Sequence, residues 1–334
     1  MTPREILKML HIAVDNNIST FIWGSPGIGK SAIVNQLAVE LNRELIDIRV
    51  SMLDPVELRG LPYIKNGRAS WSIPDFLPDK ENTILFLDEI NTAPPSMQPV
   101  LYQLIWEGKL GEYKLPKGST VIAAGNLDTD RAITTKMSTA LGSRFWNLNF
   151  EPDLEDWLHW AVNNTLSYDI LSYLRFRPAN MYKFDPTTMK GEKTFPCPRT
   201  WEQTNKILKS VLILPVKYQL DAFSGFLGKA VATDFIGFLQ IKDKLPNIKN
   251  ILENPKTEEI PTEPSIIYAT LGALLEISDL NNFDKITTYI SRLPNEFQTV
   301  FMRDINIKSK VKFINLTELA CYTKWAIKNS HFQI

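Results

Sequence analysis

The sequence predicts an α/β layer sandwich built on a parallel sheet, followed by an all-helical region, and three observations carry that expectation. Apolar runs alternate with helical patterns through the first half of the chain. Those runs end in glycine or in polar residues, as strands do when a site lies along one sheet edge. From about Asp153 glycine becomes sparse and amphipathic stretches dominate. At 334 residues the chain exceeds one typical domain, so at least two are expected.

Taken in order, the segment from Met1 to Asn16 sets Arg4, Glu5, Lys8 and Asp15 among Ile6, Leu7, Leu10, Ile12 and Val14. That mixture predicts a surface helix rather than a secretion signal. Thr20-Phe21-Ile22-Trp23 is a buried strand. A glycine-rich turn follows it, then a helix with Ala32, Ile33, Val34, Leu37, Ala38 and Leu41. Residues 45–50 alternate well enough for a second strand. Within the Pro- and Gly-punctuated stretch 54–78, Asn66-Gly67 divides two short strand-like segments, the strongest local hairpin signal. Thr83-Ile84-Leu85-Phe86-Leu87 is a continuous apolar run, typical of a parallel strand covered on both faces. A helix after Ala93-Pro94-Pro95 carries Val100, Leu101, Leu104 and Ile105 on one stripe. Residues 108–116 suggest a second small hairpin, 120–124 a further strand, and 145–150 a fifth. Helical patterns then cover 154–162, 170–175, 200–211 and 218–239. A linker-like, proline- and glutamate-bearing run occupies 252–264, before more helix at 266–277 and 316–328.

Composition removes several function classes. Lys and Arg number 37 and Asp and Glu 37, which argues against a generic nucleic-acid or anionic-membrane surface. Cys197 and Cys321 form no C-x-x-C pair and fit buried thiols in a reducing cytoplasm. His11, His159 and His331 show no ligand spacing, which argues against a transition-metal centre. No apolar run approaches the roughly 20 residues that span a bilayer. A soluble, cytoplasmic protein is expected.

The chemistry begins at Gly24-Ser25-Pro26-Gly27-Ile28-Gly29-Lys30-Ser31, a complete G-x-x-x-x-G-K-S string between a strand and a helix. That context aims several backbone N–H groups at one point, and glycine alone lets the backbone approach a phosphate so closely. Gly24 to Ser31 and Ala32 are therefore the expected cradle for a nucleoside triphosphate. Lys30 would reach the β- and γ-phosphates, and Ser31 would ligate Mg²⁺. Asp88, directly after a buried strand, is placed to hold the same Mg²⁺. Glu89, displaced from the metal, would polarise a water for in-line attack on the γ-phosphate. Asn126, at the end of the next strand, would bond that water and a γ-phosphate oxygen, or serve only as a turn-forming asparagine.

On these residues the chain resembles the MoxR-type AAA+ ATPases, relatives of the dynein-related branch of that superfamily. The likeness lies in residues 24–31, in Phe86-Leu87-Asp88-Glu89-Ile90-Asn91-Thr92-Ala93-Pro94-Pro95, in Ala124-Gly125-Asn126 and in Ala140-Leu141-Gly142-Ser143-Arg144-Phe145. Leu58-Arg59-Gly60-Leu61-Pro62 and Asp130-Arg131-Ala132 also look like that family, and Cys197-Pro198-Arg199-Thr200 resembles its sensor-2 motif. The resemblance implies a P-loop αβα sandwich with a five-stranded parallel sheet (residues 1–152), a helical lid (153–250) and a C-terminal helical extension (251–334). It implies ATP and Mg²⁺ as ligands, with Asp88 and Glu89 as Walker B acid and base and Asn126 as sensor 1. Arg144 resembles the arginine finger that completes a neighbouring subunit's site, with Arg131 and, more weakly, Arg59 as rivals. Arg199 resembles sensor 2, an arginine of the lid.

The family further implies a homo-oligomeric, hexameric ring that remodels or activates a client, a partner with a von Willebrand factor A (VWA) domain being usual. Its hairpin inserts tend to face the pore or the partner, which makes Trp71 and Tyr113 candidate contacts, against the alternative of local packing. A nucleotide-dependent binding switch with little hydrolysis is the second reading. A motor on DNA or RNA is a third, against which the balanced charge weighs.

Overall fold

The computed structural model describes residues 1–130, 137–187, 193–312 and 314–329. They divide into two compact units. The first is Met1–Asp153, joined by the segment that starts at Asp185. The second is Leu154–Phe184 and the described chain from residue 193 onward.

In the first unit, α1 (Pro3–Asp15) opens on a capping box, in which Thr2 Oγ1 accepts from Glu5 N and the Glu5 carboxylate accepts from Thr2 N. It buries Ile6, Leu10, Ala13 and Val14. Next come β1 (Thr20–Trp23), α2 (Lys30–Glu40), β2 (Leu45–Arg49) and α3 (Pro55–Arg59). The hairpin β3 (Pro62–Lys65) and β4 (Arg68–Trp71) turns at Asn66 and Gly67, whose φ values of 53° and 74° are those such a turn requires. β5 (Ile84–Asp88), α4 (Gln98–Glu107), β6 (Lys109–Leu110), β7 (Tyr113–Lys114), β8 (Thr120–Gly125), α5 (Thr139–Gly142) and β9 (Trp146–Asn149) complete the unit.

Five strands form one parallel sheet in the order β2-β5-β8-β1-β9. β8 is buried at every position and β5 at all but its last, as continuous apolar runs between helical layers should be. The register sets Trp23 beside Gly125 and Arg49 beside Asp88. The carboxyl ends of β1, β2, β5 and β8 therefore share one edge, and that edge is where the candidate site residues gather. The expected αβα fold with a five-stranded parallel sheet is what the chain adopts.

Among its described residues the second unit holds helices and no strand. Its helices are α6 (Leu154–Asn163), α7 (Tyr168–Phe176), α8 (Pro198–Leu212), α9 (Val216–Leu227), α10 (Lys229–Gln240), α11 (Ile248–Glu253), α12 (Pro264–Ile277), α13 (Phe283–Ile290), α14 (Asn295–Lys312) and α15 (Ala320–Lys328). One core centres on Tyr173, Trp201, Phe223 and Phe235, with Trp201 edge-on to Phe235 at 5.4 Å between ring centroids. A second core gathers Leu274, Phe283, Tyr289, Phe301 and Met302.

Four expectations are corrected. The single helix expected over 218–239 is two, because Gly228 at φ 73° turns the chain between α9 and α10. The helix expected after Pro94-Pro95 begins with a short 3₁₀ turn, Pro95–Met97, before α4. The run 252–264 is not a free linker: the Tyr289 hydroxyl donates to Glu259 O at 2.8 Å and Arg292 donates to Pro255 O at 2.9 Å, strapping it to its own unit. Of the two thiols, Cys197 is buried but Cys321 only half so.

Candidate nucleotide site

The chain leaves β1 at Gly24, whose N–H donates to Gly125 O at 3.2 Å, so the phosphate-loop string starts stitched to β8. A side chain at Gly24 would strike Phe150 O at 2.8 Å. Gly27 and Gly29 take φ of 77° and 103°, conformations that favour glycine, and Gly29 caps α2. The loop thus delivers the first N–H groups of α2 to one point.

Lys30 Nζ donates to Gly24 O at 2.7 Å, to Ser25 O at 3.1 Å and to Asn126 Oδ1 at 3.0 Å. Ser31 Oγ donates to Asp88 Oδ2 at 2.9 Å, which brings together the two oxygen ligands expected for Mg²⁺. A serine hydroxyl and a carboxylate side by side are hard oxygen donors and fit that ion. The neighbouring Asp47 on β2 adds to the local negative field: burial first, and then the charge of Asp88, push its carboxyl above the usual range, with Arg49 partly offsetting.

Glu89 follows Asp88 in a left-handed conformation, φ 55°, which swings its side chain away from its neighbour's. Its Oε2 accepts from Ser51 Oγ at 3.1 Å, while Asp88 Oδ1 accepts from Glu89 N at 2.9 Å. The two acids are adjacent in sequence and separately held. Asn126 is fixed by a buried neighbour, since Asn91 Nδ2 donates to Asn126 O at 2.7 Å and Asn91 Oδ1 accepts from Asn126 N at 3.3 Å. Ser25 Oγ donates to the buried Asp130 at 3.1 Å, tying the phosphate loop to the segment after β8.

Ser51, Asn91 and Asp130 escaped sequence reasoning. Asn91 lay inside a string already singled out and Asp130 inside Asp130-Arg131-Ala132, but neither has a chemistry of its own to mark it. Only the register of β5 against β8 makes Asn91 a partner of Asn126.

The arginines are dispersed. Arg144 stands just beyond α5, half-buried, with its guanidinium over the Tyr102 ring at 4.2 Å. Arg59 is exposed at the end of α3. Arg199 is exposed in the first turn of α8, on the second unit. Arg131 lies outside the described residues. Trp71 is half-buried on β4, but Tyr113 is only 6% exposed and donates its hydroxyl to Pro78 O at 2.9 Å. Tyr113 is thus a packing residue that pins the second hairpin to residues 77–78, not a surface contact.

Residues 19–145 match the family described as AAA domain, dynein-related subfamily. No curated protein matches the chain. Among solved structures, it is similar to a RuvB mutant of Thermotoga maritima, with 15% identity over 81% of this chain and 82% of that one and a TM-score of 0.41. It is also similar to NtrX of Brucella abortus in complex with ATP, with 14% identity over 93% of this chain and 62% of that one and a TM-score of 0.41. Among the described residues no helix is long and apolar enough to cross a membrane. The matched segment holds the phosphate loop, Asp88, Glu89, Asn126 and Arg144.

Proposed function

We propose that the first unit binds ATP with Mg²⁺ and hydrolyses it, and that the chain works as a MoxR-type ring ATPase that remodels or activates a partner protein. The observation that carries the chemistry is the meeting of Lys30, Ser31, Asp88, Glu89 and Asn126 at the carboxyl edge of one sheet. In this reading the backbone from Gly24 to Ala32 cradles the phosphates and Lys30 exchanges its carbonyl partners for phosphate oxygens. Ser31 and Asp88 would hold Mg²⁺, which would supply charge neutralisation for the phosphates. Glu89 takes a proton from the attacking water as its oxygen bonds the γ-phosphorus. The bond to the β–γ bridging oxygen breaks, and ADP leaves with phosphate. Asn126 orients that water. Arg144 acts on the site of a neighbouring copy as the finger, and Arg199, on a lid formed by residues 153–250, acts as sensor 2. A hexamer and a partner with a VWA domain are the expected assembly and client, by family resemblance.

Phosphate release from ATP across a wide range of protein concentration, with Arg144→Ala alongside, tests the reading. Specific activity that rises with concentration and vanishes in the variant supports a shared, inter-subunit site. Activity that survives in the variant overturns the shared site, and flat activity, or none at any concentration, favours the nucleotide-dependent switch or a ring that waits for its partner.

A further inference from the structure

Arg144 is held in an unusual way for a half-buried arginine. Its Nη1 donates to Ala140 O at 2.7 Å and to Ser143 Oγ at 3.1 Å, and its Nη2 donates to the Tyr102 hydroxyl. The guanidinium carbon lies 4.2 Å from the Tyr102 ring centroid and 5.4 Å from that of Trp106. Nε is buried with no hydrogen-bond partner among the described residues. Among the described residues every group that meets this guanidinium is neutral, and no carboxylate pairs with it. Arginine keeps its proton at any ordinary pH, so the charge is fixed in place without being cancelled.

Both sides of this cradle are rigid. Tyr102 and Trp106 are four residues apart on α4 and share a face, and α4 is anchored by the buried Leu101, Leu104 and Ile105. Phe145, next to Arg144, packs edge-on against Phe21 at 5.4 Å. Trp106 is 65% exposed, so the cradle opens at the surface. The freedom left to the arginine is that of its own side chain, and the tyrosine removes it with a ring beneath and a hydroxyl at one end.

We propose that Tyr102 is a positioning residue for Arg144, setting where its uncompensated charge is presented to a neighbouring copy's γ-phosphate. This rests on the reading of Arg144 as a group that acts across subunits. A group displaced by about 1 Å from its productive place costs on the order of 10²-fold in rate, which sets the scale of the effect.

Mixed subunits test it. Glu89→Gln supplies subunits that cannot turn over but keep Arg144, and Arg144→Ala supplies subunits with an intact site of their own. Their mixture is expected to hydrolyse ATP where neither does alone. Adding Tyr102→Ala to the Glu89→Gln subunit is expected to lower the recovered kcat at least ten-fold, with KM for ATP within two-fold. Tyr102→Phe keeps the ring and loses only the hydroxyl that Nη2 donates to. On the Glu89→Gln subunit it is expected to lower the recovered kcat by about two-fold or more, less than alanine does, and it carries the test if the alanine variant fails to fold. Placing Tyr102→Ala on the Arg144→Ala subunit instead separates the roles, because a merely structural tyrosine lowers the rate there as well and overturns the inference. Full recovery with Tyr102→Ala on the donor overturns it while leaving Arg144 as the finger. No recovery in the original mixture overturns the reading of Arg144 and this inference with it.

Discussion

Ser51 donates to Glu89: its Oγ lies 3.1 Å from Oε2, joining the second residue past β2 to the first past β5. In the proposed hydrolysis Glu89 is the base; a base must be oriented as well as basic, and a single hydroxyl restrains this otherwise exposed carboxylate. Glu89→Gln keeps the side chain's size and a hydrogen bond to Ser51 but cannot take a proton. It is expected to lower kcat by about 10²-fold or more, while ATP still binds. Ser51→Ala leaves the base in place but loose, and kcat is expected to fall several-fold with nucleotide affinity unchanged. Single-turnover hydrolysis and fluorescent-nucleotide binding check both.

Gly125→Ala tests the packing behind the site. A Cβ there would meet Asn91 Oδ1 at 2.5 Å and Phe21 Cζ at 2.8 Å. Neither neighbour can retreat easily: Asn91 is buried and bonded to Asn126, and Phe21 is fully buried. Overpacking of this kind costs about 1–3 kcal/mol. Thermal unfolding should show that loss, and hydrolysis should fall with it because Asn126 moves with Asn91.

Much of this was legible because backbone geometry writes itself into residue type. Gly27, Gly29 and Asn66-Gly67 announce positive φ, and the run from Thr83 to Leu87 announces a covered strand. Lys30, Ser31, Asp88 and Glu89 stand out because the chemistry proposed for them is specific at that spacing, and the fold brings them to one sheet edge. Ser51, Asn91, Asp130 and Tyr102 do not stand out, since a serine, an asparagine or a tyrosine earns its role only from what the fold sets beside it. The helix break at Gly228 was missed because a lone glycine within an apolar periodicity is tolerated in helices. Tyr113 stood open between contact and packing because an aromatic in a two-residue strand carries no sign of which face is covered.

Lys308 makes a pH prediction. It is buried on α14 and donates to Leu275 O at 2.5 Å, Glu276 O at 3.2 Å and Ser278 O at 2.8 Å, capping the carboxyl end of α12. Burial first, then the charge of Lys312, pull its pKa from 10.5 to about 8, against Asp279 and Glu276, which raise it. Above pH 8 the native state gives up a proton that the unfolded chain keeps until about 10.5, so the unfolded state binds more protons and stability rises with pH in that window. Below pH 8 both states are protonated and this contribution is flat. Tyr113, Tyr168 and Tyr289, pushed up to about 12 by burial, act oppositely but only above pH 10. Denaturant unfolding between pH 7 and about 9.5 should therefore show a rise in the native protein. Lys308→Met, less stable throughout for want of its cap, should lack that rise.

Arg175 and Asp304 form a two-armed ion pair between α7 and α14, with Nη1 to Oδ2 at 2.7 Å and Nη2 to Oδ1 at 2.8 Å. The side chains are 9% and 2% exposed, so each charge depends on the other for lost hydration. Removing one partner strands the other, and Arg175→Met or Asp304→Leu alone is expected to cost about 3–5 kcal/mol. Removing both is a different matter. The Coulombic gain of such a pair is largely offset by its desolvation, and Arg175 Nε is already buried without a partner among the described residues. The double variant should recover most of the loss, measured as a coupling energy in a denaturant-unfolding cycle. Equal and additive losses would instead mean that the two side chains act separately, through packing against Leu271, Val300 and Phe301 around them.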